Sequence, residues 1–391
     1  RDSSTSRGLG DVYKRQTINS QIGPYSDYYK ALVAKHPDPD IIVKARNLAS
    51  RALQIQWIDG DVDTAERSFF NINQQATPID PTELKLLQKR KNPNCIAARS
   101  IMRAGKGHKY WHNFSQEIQE SIETLASSIN RLLFDPIIQR PIKTLDLPIC
   151  DRNNNILTLV YEFVSFVNND TKEEDDLTGE ATIRSLKRTE RMVQLFSSVA
   201  PCSYGLHPLL YCYSNKGNFR PASFYGAIEF IRTLDTNPAI LKSFIEQRKN
   251  FEDFIFENDI AVQRIIDTYR RGLQSARHIS DYYVCVLNLF ASGKTSVEVQ
   301  ESILANPKYQ RLKLTFSPEL EVTTGAFNSG NKSEVYIQEA YKKAPRCAIC
   351  GGLLHTHSIS IDHIQRKRDG GLGCVENGQL THPYCNTGVK N

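Results

Sequence analysis

The chain has 391 residues, a length that predicts two or three domains. Apolar residues make up 40% of it, enough for real hydrophobic cores, and charged residues make up 24%, an ordinary share for a soluble protein. A net charge of +6 fits contact with nucleic acid but does not require it. No stretch approaches 18 apolar residues, so no transmembrane helix is expected.

The N-terminal segment, residues 1–16, differs in character from the residues after it. It reads RDSSTSRGLGDVYKRQ and has neither an initiator methionine nor the apolar centre of a signal peptide. It resembles translated adapter sequence, so we treat it as a non-native, adapter-like segment. We expect the native protein to begin upstream and its first domain to be truncated.

The next region, residues 17–110, should contain two helices and a strand. We expect a helix at about residues 40–55 and a strand over residues 69–73. Asp80 is a good N-cap and Pro81 suits the first position of a helix, so a second helix is predicted to begin there.

The run FFNINQQATPIDPTEL in this region resembles the ParB-like domain of GmrSD-type restriction proteins. Residues 17–110 are therefore predicted to be a truncated ParB-like region. That family's Asp-Gly-Gln-Arg type of motif is absent, because Asp59-Gly60 is not followed by Gln-Arg, and nucleotide binding stays open. Three polar residues are candidates for a role there, although a capped, hydrogen-bonded strand edge explains them at least as well: Arg67, Asn71 and Asn73.

Residues 111–315 are predicted to form a helical domain. Apolar residues recur at steps of three and four along SQEIQESIETLASSINRLLF, which is the spacing of one helix face. Further helices are expected at about residues 181–199, 222–234, 238–248 and 251–271. Residues 316–340 gain Gly, Ser and Asn and are predicted to be a linker with a helical lead-in at about 332–343.

The last 45 residues carry two close pairs of metal-binding side chains, Cys347-x-x-Cys350 and His382-x-x-Cys385. Zinc prefers four thiolate or imidazole ligands supplied in this way. A segment this short cannot bury a large core, and a structural metal offsets that deficit. The spacing predicts a structural Zn²⁺ site, with ordinary thiols, a surface histidine or a lost metal as alternatives.

Other cysteines and histidines fit no such pattern. Cys374 lies between the two pairs and is interpreted as a spare buried thiol. His355 and His357 would share a strand face with His363 and could line its groove, but they are interpreted as exposed residues of the strand. The remaining cysteines lack the spacing of a disulfide framework, which favours a reducing, cytoplasmic location. They are Cys95, Cys150, Cys202, Cys212 and Cys285.

Asp362, His363, Asn377 and Asn386 supply what metal-assisted phosphodiester hydrolysis needs: a base for water and hard oxygen ligands for a divalent cation. His363 is the natural base. Asp362 points to the opposite side of a regular strand, so it must lie at a strand end or a bend. Asn386 follows a zinc ligand, and Asn377 could fix the backbone or orient His363.

This string resembles the HNH endonucleases, which have a ββα-metal fold. His363, Asn377 and Asn386 stand in the three signature positions, with Asn in place of the last His and separations of 14 and 9 residues. The resemblance implies that His363 is the general base and that Asp362 and Asn386 bind Mg²⁺ or Mn²⁺. It also implies that Asn377 belongs to the catalytic residues and has a structural role. His382 departs from the many zinc-bearing relatives that have Cys there.

Three cations, Arg366, Lys367 and Arg368, come soon after the Asp-His pair and are candidates for contacts to DNA phosphates; a solvated charge run is the alternative. The predicted partner is DNA, with a homodimer as an option because one HNH site cuts one strand.

The sequence therefore predicts an α+β fold: a mostly helical body, a truncated ParB-like N-terminal region, and a C-terminal zinc-stapled ββα-metal HNH domain over residues 341–391. The predicted function is DNA cleavage in restriction or phage defence. The alternative is a zinc-stabilised module that binds DNA or protein without cutting.

Overall fold

Helices make up most of the chain in the computed structural model, which describes residues 25–33, 38–50, 81–107, 110–152, 156–169, 174–269, 272–314 and 325–390. The contacts divide the chain into two compact units, Arg1–Lys85 and Leu86–Asn391. Several predicted features lie outside the described residues: the adapter-like segment, the strand at 69–73, Arg67, Asp80 and residues 316–324 of the linker.

In the first unit, two described helices pack against each other through Tyr28, Ala31 and Ala45. They are α1 (Tyr25–Val33) and α2 (Pro39–Ala49). Helix α3 (Pro81–Gln88), within which the first unit ends and the second begins, starts at the proline where the sequence predicts a helix start.

The described helices of the second unit enclose one continuous apolar core. They are α4 (Pro93–Met102), α5 (Gln116–Phe134), α6 (Ile156–Asn168), α7 (Glu180–Phe196), α8 (Pro208–Cys212), α9 (Pro221–Thr236), α10 (Pro238–Glu257), α11 (Asp259–Thr268), α12 (Ala276–Ala291), α13 (Ser296–Ala305), α14 (Pro307–Gln310) and α15 (Ser329–Lys343). Aromatic rings from α8, α9, α10 and α12 meet at its centre, where Phe230 packs edge to face on Phe244 and Tyr283. Such ring pairs stabilise a core beyond their buried area.

Helix α10 is longer than the sequence predicts. The sequence predicts separate helices at about residues 238–248 and 251–271, but one helix runs through Lys249 and Asn250, and the predicted second helix is divided at Asn258. Lys249 pairs with Asp253 one turn later at 2.9 Å on the exposed face. The helix ends instead at Asn258, whose backbone N–H and side-chain amide both bond to the carbonyl of Phe254. The continuity of the helix matters because it places Arg248 and Glu252, which contact the C-terminal segment, one turn apart on the same face.

The C-terminal segment forms a short antiparallel hairpin, β1 (Ser360–His363) and β2 (Gly378–Thr381), in which Asp362 pairs with Gln379. A five-residue π-helix, Cys385–Val389, comes after it. This hairpin is the only sheet in the described parts of the chain.

The α+β class is thus confirmed in its coarse form, mostly helical with a small sheet near the C-terminus. The contacts place the predicted helical domain and the predicted C-terminal domain in the same compact unit, and the boundary between them stays a prediction. None of the described helices is both long and apolar enough to cross a membrane.

Candidate metal centre and hairpin groove

The first pair of predicted zinc ligands lies in a tight turn. Cys347 N–H donates to the carbonyl of Gly352 at 2.8 Å, and Gly351 N–H donates back to the carbonyl of Cys347 at the same distance. Gly351 has φ +70°, a left-handed conformation that favours glycine. The turn directs both sulfurs, of Cys347 and Cys350, to the same side.

The second pair is brought to these sulfurs by β2. His382 follows the strand directly and Cys385 begins the π-helix, while Ala348 N–H donates to Leu380 O at 2.9 Å and ties the turn to the strand. The four ligand atoms, three Sγ and one imidazole nitrogen, lie within 4.8 Å of one another, and all four residues are buried. We call Cys347, Cys350, His382 and Cys385 the Cys/His group.

The imidazole of His382 is oriented as a metal ligand requires. Its Nδ1 lies 3.3 Å from Sγ of Cys350, and its Nε2 lies 3.1 Å from the carbonyl oxygen of Leu353. A carbonyl can only accept, so Nε2 carries the proton and Nδ1 faces the sulfurs with a lone pair. Burial, with a contribution from Arg248, lowers the pKa of His382, so the ring is held neutral. This group could hold a structural metal such as zinc.

A buried ion pair on α10 connects the Cys/His group to the helical body. Arg248 and Glu252 are almost fully buried, and Nε of Arg248 lies 2.7 Å from Oε1 of Glu252. Arg248 also donates to the carbonyls of Tyr204 and Gly205 at 2.6 and 2.7 Å, and Glu252 accepts from Leu353 N–H at 2.7 Å. Burial alone would lower the pKa of Arg248, but Glu252 and the cysteine sulfurs raise it, so the guanidinium stays charged.

Two glycines permit this close packing. A Cβ on Gly352 would lie 2.2 Å from Nε of Arg248, and a Cβ on Gly205 would lie 2.3 Å from Cδ2 of His382. Neither distance is possible between real atoms, so any side chain would force the C-terminal segment away from the body.

Asp362 and His363 lie at the end of β1, as their adjacency requires. Asp362 is buried, and its Oδ2 accepts from Nε2 of Gln379 on β2 at 2.7 Å and from Nζ of Lys390 at 2.6 Å. His363 is half-buried. It lines an open cavity of about 380 Å³, which we call the hairpin groove and which is also bordered by Ile361, Asp362, Arg366, Lys367, Arg368, Asn386 and Lys390.

The structure thus brings Asp362, His363 and Asn386 to one groove beside the Cys/His group. Asn386 is placed by the π-helix that begins at Cys385, and its Nδ2 donates to Oγ of Ser360 on β1 at 2.7 Å. The amide is therefore fixed between the π-helix and the strand. The sequence spacing does not reveal Ser360, since a serine in a strand is an ordinary residue.

Asn377 does not line the hairpin groove but pins the loop that comes after His363. Its Oδ1 accepts from the N–H of Gln365 at 2.7 Å, and its Nδ2 donates to the carbonyls of Gln365 and Leu372 at 3.1 and 2.8 Å. Two roles were considered for Asn377, fixing the backbone and orienting His363, and these contacts fit the first.

The three cations after the Asp-His pair separate into two kinds. Lys367 and Arg368 are exposed in a 3₁₀ turn at the rim of the groove. Arg366 is half-buried and donates from Nη2 to the backbone carbonyl of Lys390. Arg366 is therefore committed to a contact within the protein, whereas Lys367 and Arg368 face solvent.

Three interpretations of single residues are wrong, and one of them is that of His357, which is half-buried in a 3₁₀ turn rather than exposed in a strand. Cys374 is exposed rather than buried, because it lies in the loop between the strands and not under the hairpin. His355 is buried rather than exposed: it precedes a 3₁₀ turn, not a strand, and its ring packs edge to face on His207 at 5.2 Å. Burial lowers the pKa of His355 to about 4.

The comparisons with known proteins add no relative: no family model, curated protein or solved structure matches the chain. Function is therefore inferred from the geometry of the hairpin groove and of the Cys/His group.

Proposed function

We propose that the protein is a metal-dependent endonuclease of the HNH type that hydrolyses DNA phosphodiester bonds. The observation that carries the proposal is the meeting of Asp362, His363 and Asn386 in one open groove, next to a buried group suited to a structural metal. A docking module does not need a base, a carboxylate and an amide that line one groove.

The cation ligands in this proposal are the carboxylate of Asp362 and the amide of Asn386. Of the two amide atoms of Asn386, the oxygen is the one that can bind a cation, because an amide nitrogen only donates. Hard oxygen donors of this kind suit Mg²⁺ or Mn²⁺. When bound, such an ion would neutralise charge on the scissile phosphate and hold it in line for attack.

His363 acts as the general base in this proposal. Its imidazole accepts a proton from a water molecule in the groove, the water oxygen forms a bond to phosphorus, and the bond from phosphorus to the leaving oxygen breaks. Lys367 and Arg368 at the rim are suited to phosphates of the same strand, because they are exposed and positively charged. Asn377 holds the loop between His363 and these cations.

The Cys/His group serves as the structural part of the site. We propose that it binds Zn²⁺ through three thiolates and the Nδ1 of His382, and so fixes β2 and the π-helix that carries Asn386. The resemblance of residues 17–110 to the ParB-like region supports a role in restriction or phage defence, in the cytoplasm. DNA is the partner, and a second copy of the chain would supply the second cut.

A specific observation favours one other function, docking without cleavage. The outer face of the hairpin exposes large apolar side chains, Ile361, Leu380 and Val375, along a second cavity of about 450 Å³ that also reaches His363. Exposed apolar clusters often mark binding surfaces.

Plasmid cleavage separates the two functions. Purified protein is incubated with supercoiled plasmid and Mg²⁺ or Mn²⁺, beside His363→Ala and the matched control His357→Ala, a histidine that borders neither cavity. We expect the wild type and the control to nick the plasmid and His363→Ala to lose at least about a hundredfold in rate, the scale of general-base catalysis. Equal cutting by His363→Ala, or no cutting by the wild type, would refute the assignment.

A further inference from the structure

The side chain of Lys390 enters the hairpin groove and contacts the carboxylate that the proposed function assigns to the cation. Its Nζ lies 2.6 Å from Oδ2 of Asp362 and also donates to the carbonyls of His363 and Ile364. Both charged side chains are largely buried, with 16% of the Lys390 side chain and 6% of the Asp362 side chain exposed.

The surroundings of this ammonium are those that a metal cation prefers. One carboxylate oxygen and two backbone carbonyl oxygens face Nζ, and an all-oxygen environment is what Mg²⁺ and Mn²⁺ select. A buried carboxylate without a positive partner is costly, so Asp362 needs a cation at all times. Lys390 provides one that belongs to the chain.

The backbone of Lys390 is held independently of its ammonium. Its N–H donates to the carbonyl of Cys385 at 3.3 Å, and its carbonyl accepts from Nη2 of Arg366. The side chain can therefore leave Asp362 by rotating its own bonds while the π-helix and the loop stay in place.

We propose that Lys390 is the built-in counter-ion of Asp362 and that a divalent cation must displace its ammonium to bind. This inference rests on the proposed metal site in the hairpin groove. Lys390 then lowers the affinity for divalent ions and sets the ion concentration at which the site becomes loaded.

Direct Mn²⁺ binding tests the proposal, measured by the electron paramagnetic resonance signal of free Mn²⁺ in titrations of zinc-loaded protein. Lys390→Met removes the charge and keeps the length of the side chain. We expect it to bind Mn²⁺ roughly tenfold tighter than the wild type, in line with coupling between close buried charges. Because Lys390→Arg keeps the positive charge, its affinity for Mn²⁺ should stay within about threefold of the wild type, a difference of under 1 kcal/mol. Asp362→Asn should lose the binding.

Labelling of lysines on the wild type guards against a variant that fails to fold. Mass spectrometry after brief acetylation should show more modification of Lys390 when Mn²⁺ is present, because displacement exposes its ammonium. Mn²⁺ affinity in Lys390→Met equal to or weaker than the wild type, or Lys390 labelling that Mn²⁺ does not change, overturns the proposal. Both readouts are independent of DNA cleavage, so a protein that binds Mn²⁺ as described but cuts no plasmid would refute the proposed function alone.

Discussion

Asn377 shows how one side chain can organise a site without touching its groove. Its side-chain amide makes three hydrogen bonds, which join Gln365, just after β1, to Leu372 farther along the loop. Its backbone carbonyl also accepts from Ile364 N–H at 2.8 Å. Only an amide supplies both an acceptor and two donors in one plane. The position of His363 and of the cations after it therefore depends on this residue.

Replacing Asn377 by Ala removes all three side-chain hydrogen bonds. We expect the free energy of unfolding to fall by about 1–3 kcal/mol, since each such bond contributes roughly 1 kcal/mol. We also expect plasmid cleavage to fall at least about tenfold, because displaced groups lose their alignment. Urea unfolding and the cleavage assay measure the two effects, and zinc content should not change. A variant as stable and as active as the wild type would show that the clamp is dispensable.

At the residue scale, the sequence predicts what local spacing encodes. The four ligands of the Cys/His group are found from their spacing, and the structure brings them together. Arg248, Glu252 and Lys390 escape such reasoning. Arg248 and Glu252 look like an ordinary pair one helical turn apart. Their contacts to His382 and Leu353, and that of Lys390 to Asp362, join residues distant in sequence. The prediction for His355 is wrong for a related reason: alternation with His357 suggests a strand, but packing against His207 decides its burial.

Among the elements, the C-terminal turn, β2 and the π-helix depend on one another through the Cys/His group. Few apolar side chains support them: the small core around the group contains Leu354 with the three cysteines, joined by Ile245, Ile349 and Ile359. A metal bound there would therefore add to the order of these elements.

Cys385→Ser and Cys374→Ser form a matched pair that tests this role. Cys385 belongs to the group, whereas Cys374 is an exposed cysteine elsewhere in the same segment. We expect Cys385→Ser to lose its zinc by elemental analysis and to lower the melting temperature by on the order of 5 °C or more. Cys374→Ser should keep one zinc per chain and the wild-type melting temperature. Equal zinc content in both variants would argue against the ligand assignment.

For the whole molecule, charge and the hairpin groove together bear on DNA binding. The chain carries a net charge of +6, and Lys367 and Arg368 stand exposed at the groove rim. Association with a duplex releases counterions in proportion to the phosphates contacted, so affinity should fall steeply with salt.

Changing Lys367 and Arg368 to Ala should weaken DNA binding about equally for all sequences. The logarithmic slope of affinity against salt should become shallower by about 2, one for each lost phosphate contact. Fluorescence anisotropy in the His363→Ala background, in which we expect cleavage to be lost, measures both values. The control is Lys342→Ala, a lysine paired with Glu339 on α15 that does not line the groove. An unchanged slope would mean that these two cations do not contact phosphates.

The buried pair Arg248–Glu252 has a consequence for transplantation of the C-terminal segment. A graft of residues 345–390 onto another protein would leave behind two groups. One is the carboxylate of Glu252, which accepts from Leu353 N–H, and the other is the guanidinium of Arg248, which lies beside His382. It would also leave Ser203, whose carbonyl accepts from Tyr384 N–H at 3.1 Å. The smallest portable unit therefore includes helix α10 and the loop before α8, and an engineer who swaps this segment must carry both along.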